Sequence, residues 1–283
     1  MRQPFGIPAW QHRWQARHGW LLLAGGLAGS TLLILCGIAL QRQLRPPSAP
    51  QPGSRQLPSP PAQAAWISPL RAQCSVQDRA LVQRLNGLRQ ALPQRLQRIR
   101  IDPSNFGDRF REDAFGNRLD VTPSMVVMHE TVYGLNSAIN TFITHHPNDA
   151  DQVSYHVLIG EKGQIVQAVD PSKRAFGAGN SAFNGRWVVT NAKLSGSVNN
   201  FALHLSLETP LDGEDDGPAH SGYTAAQYDA LAVVLADWMD RFAIPPEHIT
   251  THRHVDLGLE RADPRSFDWQ KLQIRLAALG FLC

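Results

Sequence analysis

In the segment Phe201–Glu208, FALHLSLE, apolar and polar residues alternate from Leu203 onward. A period of two belongs to a β-strand, so Leu203, Leu205 and Leu207 project to one side and His204, Ser206 and Glu208 to the other. One side is expected to pack on a core and the other to face a cleft or water. The apolar run MVVMH, Met125–His129, is short enough for a buried strand. Ser154–Gly160, the turn Glu161-Lys162-Gly163 and Gln164–Val169 form a candidate hairpin. Thr224 with Gln227 makes a capping box, followed by the stripe Leu231, Leu235, Trp238 and Phe242 of an amphipathic helix that stops before Pro245-Pro246. HITTH, His248–His252, reads as a last short strand. Strands interleaved with long helices, without a regular βαβ repeat, predict an α/β domain with one mixed central β-sheet flanked by helices.

The first part of the 283-residue chain has a different character. Leu21 to Leu40 carries no charge, and its 20 residues, if helical, span about the ~30 Å of a hydrocarbon layer. Gln41, Arg42 and Gln43 follow where a cleavage site would need small residues, so the stretch reads as an uncleaved transmembrane helix, a signal anchor. Arg2, Arg13 and Arg17 before it nearly balance Arg42, Arg45 and Arg55 after it, which leaves orientation to be set by function. Arg45–Ala65 is rich in Pro, Gln and Ser and reads as an extended spacer. The expected organisation is a cytoplasmic segment 1–19, an anchor 20–41, a Pro-rich linker 42–65, a helix and connecting segment 66–120, and the main domain 121–283. Within 66–120, Leu81, Leu85, Leu88 and Leu92 recur at helical spacing behind a capping box of Ser75 and Asp78. Arg79, Arg84 and Arg89 read as its solvated face, with polymer binding as the alternative.

Up to Asp120 the chain has 16 Lys/Arg against 6 Asp/Glu, and beyond it 11 against 18. The basic half suits anionic lipid or wall polymer near a membrane. An acidic folded half without a basic stripe argues against nucleic-acid binding.

His129 ends the first strand, His252 ends the last, and Asp263 lies in the loop beyond. Two imidazoles and one carboxylate leave a position of tetrahedral zinc open, the coordination in which zinc binds and acidifies water. Taken singly, each has a plainer explanation: a strand-end histidine is commonly a surface or hydrogen-bonded residue, and Asp263 before Pro264 can simply start a turn. Cys74 and Cys283, the cysteines outside the apolar stretch, form a candidate disulfide. Two free thiols are the alternative, because sequence does not place their Cα atoms.

VVMHET, SYHVLIGEKGQIVQAV, the helix from Thr224, ITTHRHV and ADPRSFDW, in that order, resemble the type 2 N-acetylmuramoyl-L-alanine amidases, relatives of phage amidase-lysozymes and peptidoglycan recognition proteins. The resemblance runs from about Pro103 to the C-terminus, and PSNFGDR, Pro103–Arg109, is similar to the leading segment of the family's cytoplasmic anhydro-muropeptide amidases. It implies a Zn2+ ion held by His129, His252 and Asp263, with His254 the alternative to His252. Ser206 stands where a catalytic Glu is expected. Glu208, two residues on and on the same face, becomes the candidate general base, its other reading being a strand-end residue in a structural hydrogen bond. Gly177 in AFGAG replaces the His of an AWHAG-like segment, and Arg265 stands where Gly is usual. Arg261 takes the place of a Lys that stabilises the oxyanion in relatives, though with a different donor geometry. Tyr155 matches a Tyr near the zinc, where a phenol can hydrogen-bond the tetrahedral intermediate. Ser206 and His156 are expected near the substrate, His156 having a structural strand role as its alternative.

The function so implied is cleavage of the amide between the lactyl group of N-acetylmuramic acid and L-alanine in peptidoglycan or muropeptides. The expected place is the cell inner membrane, single-pass, with the domain facing the periplasm or cell wall and lipid contacted by the N-terminal helix. Two other readings compete. A catalytically inactive peptidoglycan-binding module of the same fold would explain the altered residues 177, 206 and 261. A scaffold tethering a wall complex would use the anchor and spacer but leave the ligand set unexplained.

Overall fold

The structure, a computed structural model, describes residues 58–283. Its elements begin with helix α1 (Arg79–Gln90), the single turn α2 (Leu92–Arg95) and strands β1 (Leu96–Arg98), β2 (Phe106–Asp108) and β3 (Met125–Glu130). Helix α3 (Leu135–Ile143), hairpin strands β4 (Val157–Ile159) and β5 (Ile165–Gln167), β6 (Lys173–Ala175) and β7 (Ala202–Leu207) follow. Helix α4 (Ala225–Phe242), β8 (Ile249–Thr251), the turn of helix α5 (His252–Val255) and α6 (Trp269–Ala278) complete the chain. Six strands form one sheet in the order β1-β5-β4-β7-β3-β8, while β2 and β6 pair separately. β4, β7, β3 and β8 run parallel and β5 is antiparallel to β4. The mixed α/β sheet expected from the sequence is therefore present. The expected cytoplasmic segment and transmembrane anchor lie outside the described residues; among the described residues no helix is long and apolar enough to cross a membrane.

Leu203, Leu205 and Leu207 of β7 enter the larger core with Val126 and Met128 of β3, Leu231 and Leu235 of α4 and Leu85 of α1. α4 starts at Thr224, and both bonds of its capping box with Gln227 are made. The other side of β7 does not meet water, since all six of its residues are buried. A central strand in a run of parallel neighbours is covered on both faces, and helices or loops pack over each.

α1 docks through Leu81 and Leu85. Its N-cap is Asp78, which accepts from Leu81 N at 2.9 Å, and not Ser75. Arg84 pairs with Asp229 at 2.8 Å and Arg89 with Asp240, so two of the three arginines also tie α1 to α4, while Arg79 and Arg84 remain exposed. The described end of the Pro-rich segment also departs from a free spacer. Trp187 Nε1 donates to Pro58 O at 2.7 Å and the Gln63 amide to His254 O, laying this segment along the domain. Cys74 and Cys283 are bonded across 209 residues of sequence, and Gln73 N donates to Leu282 O at 2.6 Å beside them. Restricting the unfolded chain in this way contributes about 2–4 kcal/mol.

Candidate metal centre

β3 and β8 run side by side with Met128 opposite Thr251, so their carboxyl ends deliver His129 and His252 to one edge of the sheet. Thr251 caps α5 through His254 N and turns the chain directly after the strand. Arg253 N then donates to Asp263 O at 3.0 Å, which draws the following loop back. The Asp263 carboxylate lies 3.2 Å from His129 Nδ1 and 3.0 Å from His252 Nδ1. One donor atom from each of the three residues lies within 4.8 Å of the others. His254, the alternative ligand, packs its ring 4.7 Å from that of Trp66 and is not in this group.

Burial pushes the His129 imidazole down to about 4, against the opposing pull of Asp263. Burial alone would raise Asp263, but the hydrogen bonds from His129 and His252 outweigh it and hold the carboxyl well below the usual carboxylate range. A neutral imidazole beside an ionised carboxylate is the protonation state that a divalent metal requires of its ligands. Two nitrogen donors and one oxygen donor fit zinc with a position left for water or substrate.

Tyr155 stacks on His129 with ring centroids 4.4 Å apart and meets Phe142 edge-on at 5.6 Å. Burial raises its phenol well above the ordinary value, which keeps it a hydrogen-bond donor. Arg261 is exposed, its backbone held by Asp256 Oδ2 at 3.0 Å. Its positive charge acts to lower the pKa of both His129 and Tyr155, so the exposed guanidinium lies within electrostatic reach of the centre.

Three expectations are corrected. Glu208 accepts from Leu135 N at 2.6 Å and from Glu161 N at 2.7 Å, capping α3 and tying down the hairpin turn. β7 ends at Leu207, and one residue past its end strand alternation no longer sets where a side chain points. The structural reading of Glu208 therefore replaces that of general base. Ser206 lies opposite His129 on the sheet, but it is 0% exposed, so it is sealed from a substrate. His156 is equally buried: its Nδ1 accepts from His204 N at 2.9 Å and its Nε2 faces Lys173 O at 3.2 Å. Burial takes its imidazole down to about 3, so it is neutral, with both ring nitrogens committed to backbone and none left for substrate.

Arg265 donates to Glu130 Oε1 at 2.5 Å and to the carbonyls of Gly213, Asp215 and Gly217, clasping that loop to the end of β3. Sequence reasoning did not single out His204, whose Nδ1 lies 3.0 Å from His129 Nε2. The signal was available in two parts: a glycine at 177 where a histidine is usual, and a histidine on the cleft side of β7.

Fold and donor set together give a mixed α/β domain with a candidate site for one metal ion at the edge of its sheet. A family model described as N-acetylmuramoyl-L-alanine amidase matches residues 119–266. The chain belongs to this family, the type 2 amidases. Among curated proteins it is 33% identical over 125 residues to the 1,6-anhydro-N-acetylmuramyl-L-alanine amidase AmpD of Escherichia coli K12, covering 44% of this chain and 58% of that protein. It is 31% identical over 122 residues to AmpD of Citrobacter freundii, covering 43% and 56%. With AmpD of Haemophilus influenzae it shares 29% identity over 178 residues, 61% of this chain and 76% of that protein. The chain thus spans little more than half the length of the first two. A crystal structure of an AmpD derivative is similar with a TM-score of 0.47 and 25% identity, covering 63% of this chain and 93% of that one.

The expected placement as a single-pass inner-membrane protein with its domain facing the periplasm or cell wall is overturned. The curated relatives reported above are 1,6-anhydro-N-acetylmuramyl-L-alanine amidases, and the apolar stretch 21–40 on which the placement rested lies outside the described residues. The contact with membrane lipid is withdrawn with it.

Proposed function

We propose that the chain is a zinc-dependent amidase that cleaves muropeptides between the lactyl group of N-acetylmuramic acid and L-alanine. The observation that carries this reading is the convergence of His129, His252 and Asp263, one donor atom each within 4.8 Å, inside the segment matched by the amidase family. His129, His252 and Asp263 would hold the zinc, which would supply Lewis acidity for a carbonyl and for water. Tyr155, kept protonated by burial, donates to the oxygen that becomes negative, and Arg261 supplies a cation within electrostatic reach of it. Glu208 is not assigned as base, because both of its carboxylate oxygens hold backbone N–H groups.

The test is incubation of the full chain and zinc with purified muropeptides, anhydro-muropeptides first because the relatives' names specify them. Mass spectrometry is expected to find a peptide with a free L-alanine amino terminus and the matching amino sugar. A second reading, a muropeptide-binding module without turnover, draws on Ser206 at the expected Glu position and on the engagement of Glu208 elsewhere. Zinc-loaded protein that binds muropeptides yet releases no peptide would select it.

A further inference from the structure

We infer that His204 is a positioning residue that fixes the metal-facing orientation of His129, seated in space that Gly177 leaves open. The inference rests on the metal-centre reading above. His129 is held at both ring nitrogens: Nδ1 lies 3.2 Å from the Asp263 carboxylate, and Nε2 lies 3.0 Å from His204 Nδ1. An imidazole that turns its Nδ1 lone pair to a metal carries its proton on Nε2 and needs an acceptor there. His204 Nδ1 is that acceptor, and the remaining proton of His204 then sits on its own Nε2, a buried atom without a partner among the described residues. Without metal, His129 Nδ1–H donates to Asp263 and its Nε2 accepts from His204 Nδ1–H. An imidazole at 204 serves both states, because either nitrogen can donate or accept.

Gly177 makes the seat. A Cβ built there would lie 2.5 Å from His204 Cγ and 2.9 Å from Cε1, closer than real Cβ atoms come, so any other residue displaces the ring. Gly177 is not among the positive-φ glycines, so the room it leaves, and not backbone freedom, is what the site uses. The backbone under the ring is pinned as well: His204 N donates to His156 Nδ1 at 2.9 Å and His156 N donates to His204 O at 2.9 Å. The two imidazoles stack with centroids 5.9 Å apart. Position 177, a glycine where an AWHAG-like segment carries a histidine, thus leaves the room that the His204 ring of β7 occupies.

The test measures zinc affinity of the full chain by competition with a chelator, for the parent, His204→Phe and His204→Asn. Phe keeps a ring without hydrogen bonding, whereas Asn offers an acceptor or donor near the Nδ1 position. His204→Phe is expected to weaken zinc about 10–100-fold, and His204→Asn to recover most of that loss. Parent-like affinity in His204→Phe, or an equally weak His204→Asn, would overturn the inference, with near-ultraviolet circular dichroism confirming the fold of each. Should His204→Phe not fold, 15N spectra of the zinc-loaded parent decide. A coupling across the hydrogen bond between His129 Nε2 and His204 Nδ1 supports the role, and its absence ends it. A parent that binds no zinc removes the metal-centre reading together with this inference, whereas the variant outcomes bear on this inference alone.

Discussion

On β7, Leu203, Leu205 and Leu207 meet α4 from one face of the sheet, while His204 and Ser206 enter the other; all five are 0% exposed. The first face needs no partners for its side chains. On the second, His204 Nε2, Ser206 Oγ and Thr250 Oγ1 are buried without a hydrogen bond among the described residues. Thr250 and His204 both lie opposite Val127, on either side of it, so these polar atoms line the layer of the sheet that leads to His129. Each such atom costs roughly 1–3 kcal/mol, while each buried leucine contributes roughly 1.5–3 kcal/mol. Equal burial thus has opposite meanings: the leucine face stabilises the fold, and the histidine face gives up stability to hold imidazoles beside the proposed metal centre.

The contrast between the two faces is strained most by truncating the leucine side. Leu205→Ala should lower unfolding free energy by about 2–5 kcal/mol in chemical denaturation while leaving zinc stoichiometry unchanged. A loss below about 1 kcal/mol would mean that the leucine face does not dominate. A second expectation concerns acid. His156 is neutral in the fold with its imidazole down to about 3, against an ordinary 6.5, so the unfolded chain takes up a proton first as pH falls. The stability it contributes is complete above pH 6.5 and is lost as pH falls from there toward about 3, a loss of roughly a few kcal/mol. A denaturation series at fixed temperature checks this, and a flat profile for the parent, or an equal slope in His156→Gln, would refute it.

Glu208→Gln sharpens the boundary between structure and chemistry. Loss of a charged acceptor for two backbone donors should cost about 1–3 kcal/mol of stability and leave turnover within about threefold. A fall of about 10²-fold or more with stability intact would restore it as the base. Ser206→Ala is the smallest change and a gain in stability, about 1 kcal/mol, because it removes a buried hydroxyl that has no partner among the described residues.

What could be read from sequence was local. Period-two alternation gave the inward leucines of β7, and Thr224 with Gln227 gave the start of α4, because both depend on residues a few positions apart. The cap of α1 was misplaced by three residues, since Ser75 and Asp78 are both good caps and only docking chooses between them. Partners distant in sequence were out of reach: Arg84 with Asp229, Glu208 with Leu135 N, and the ring of His204 over Gly177. The candidate trio was singled out through the resemblance of ordered motifs, as no spacing rule joins His129 to residues 252 and 263, which the fold brings together.

The proposed metal centre closes the second face of the sheet at the carboxyl ends of β3 and β8. Metal analysis of the full chain after zinc loading and desalting tests it most directly, alongside His129→Ala, His252→Ala and Asp263→Ala. About one zinc per parent chain is expected, with its loss in each variant, since two remaining ligands do not hold the ion tightly. A parent without zinc, or full occupancy in any of the three variants, would contradict it.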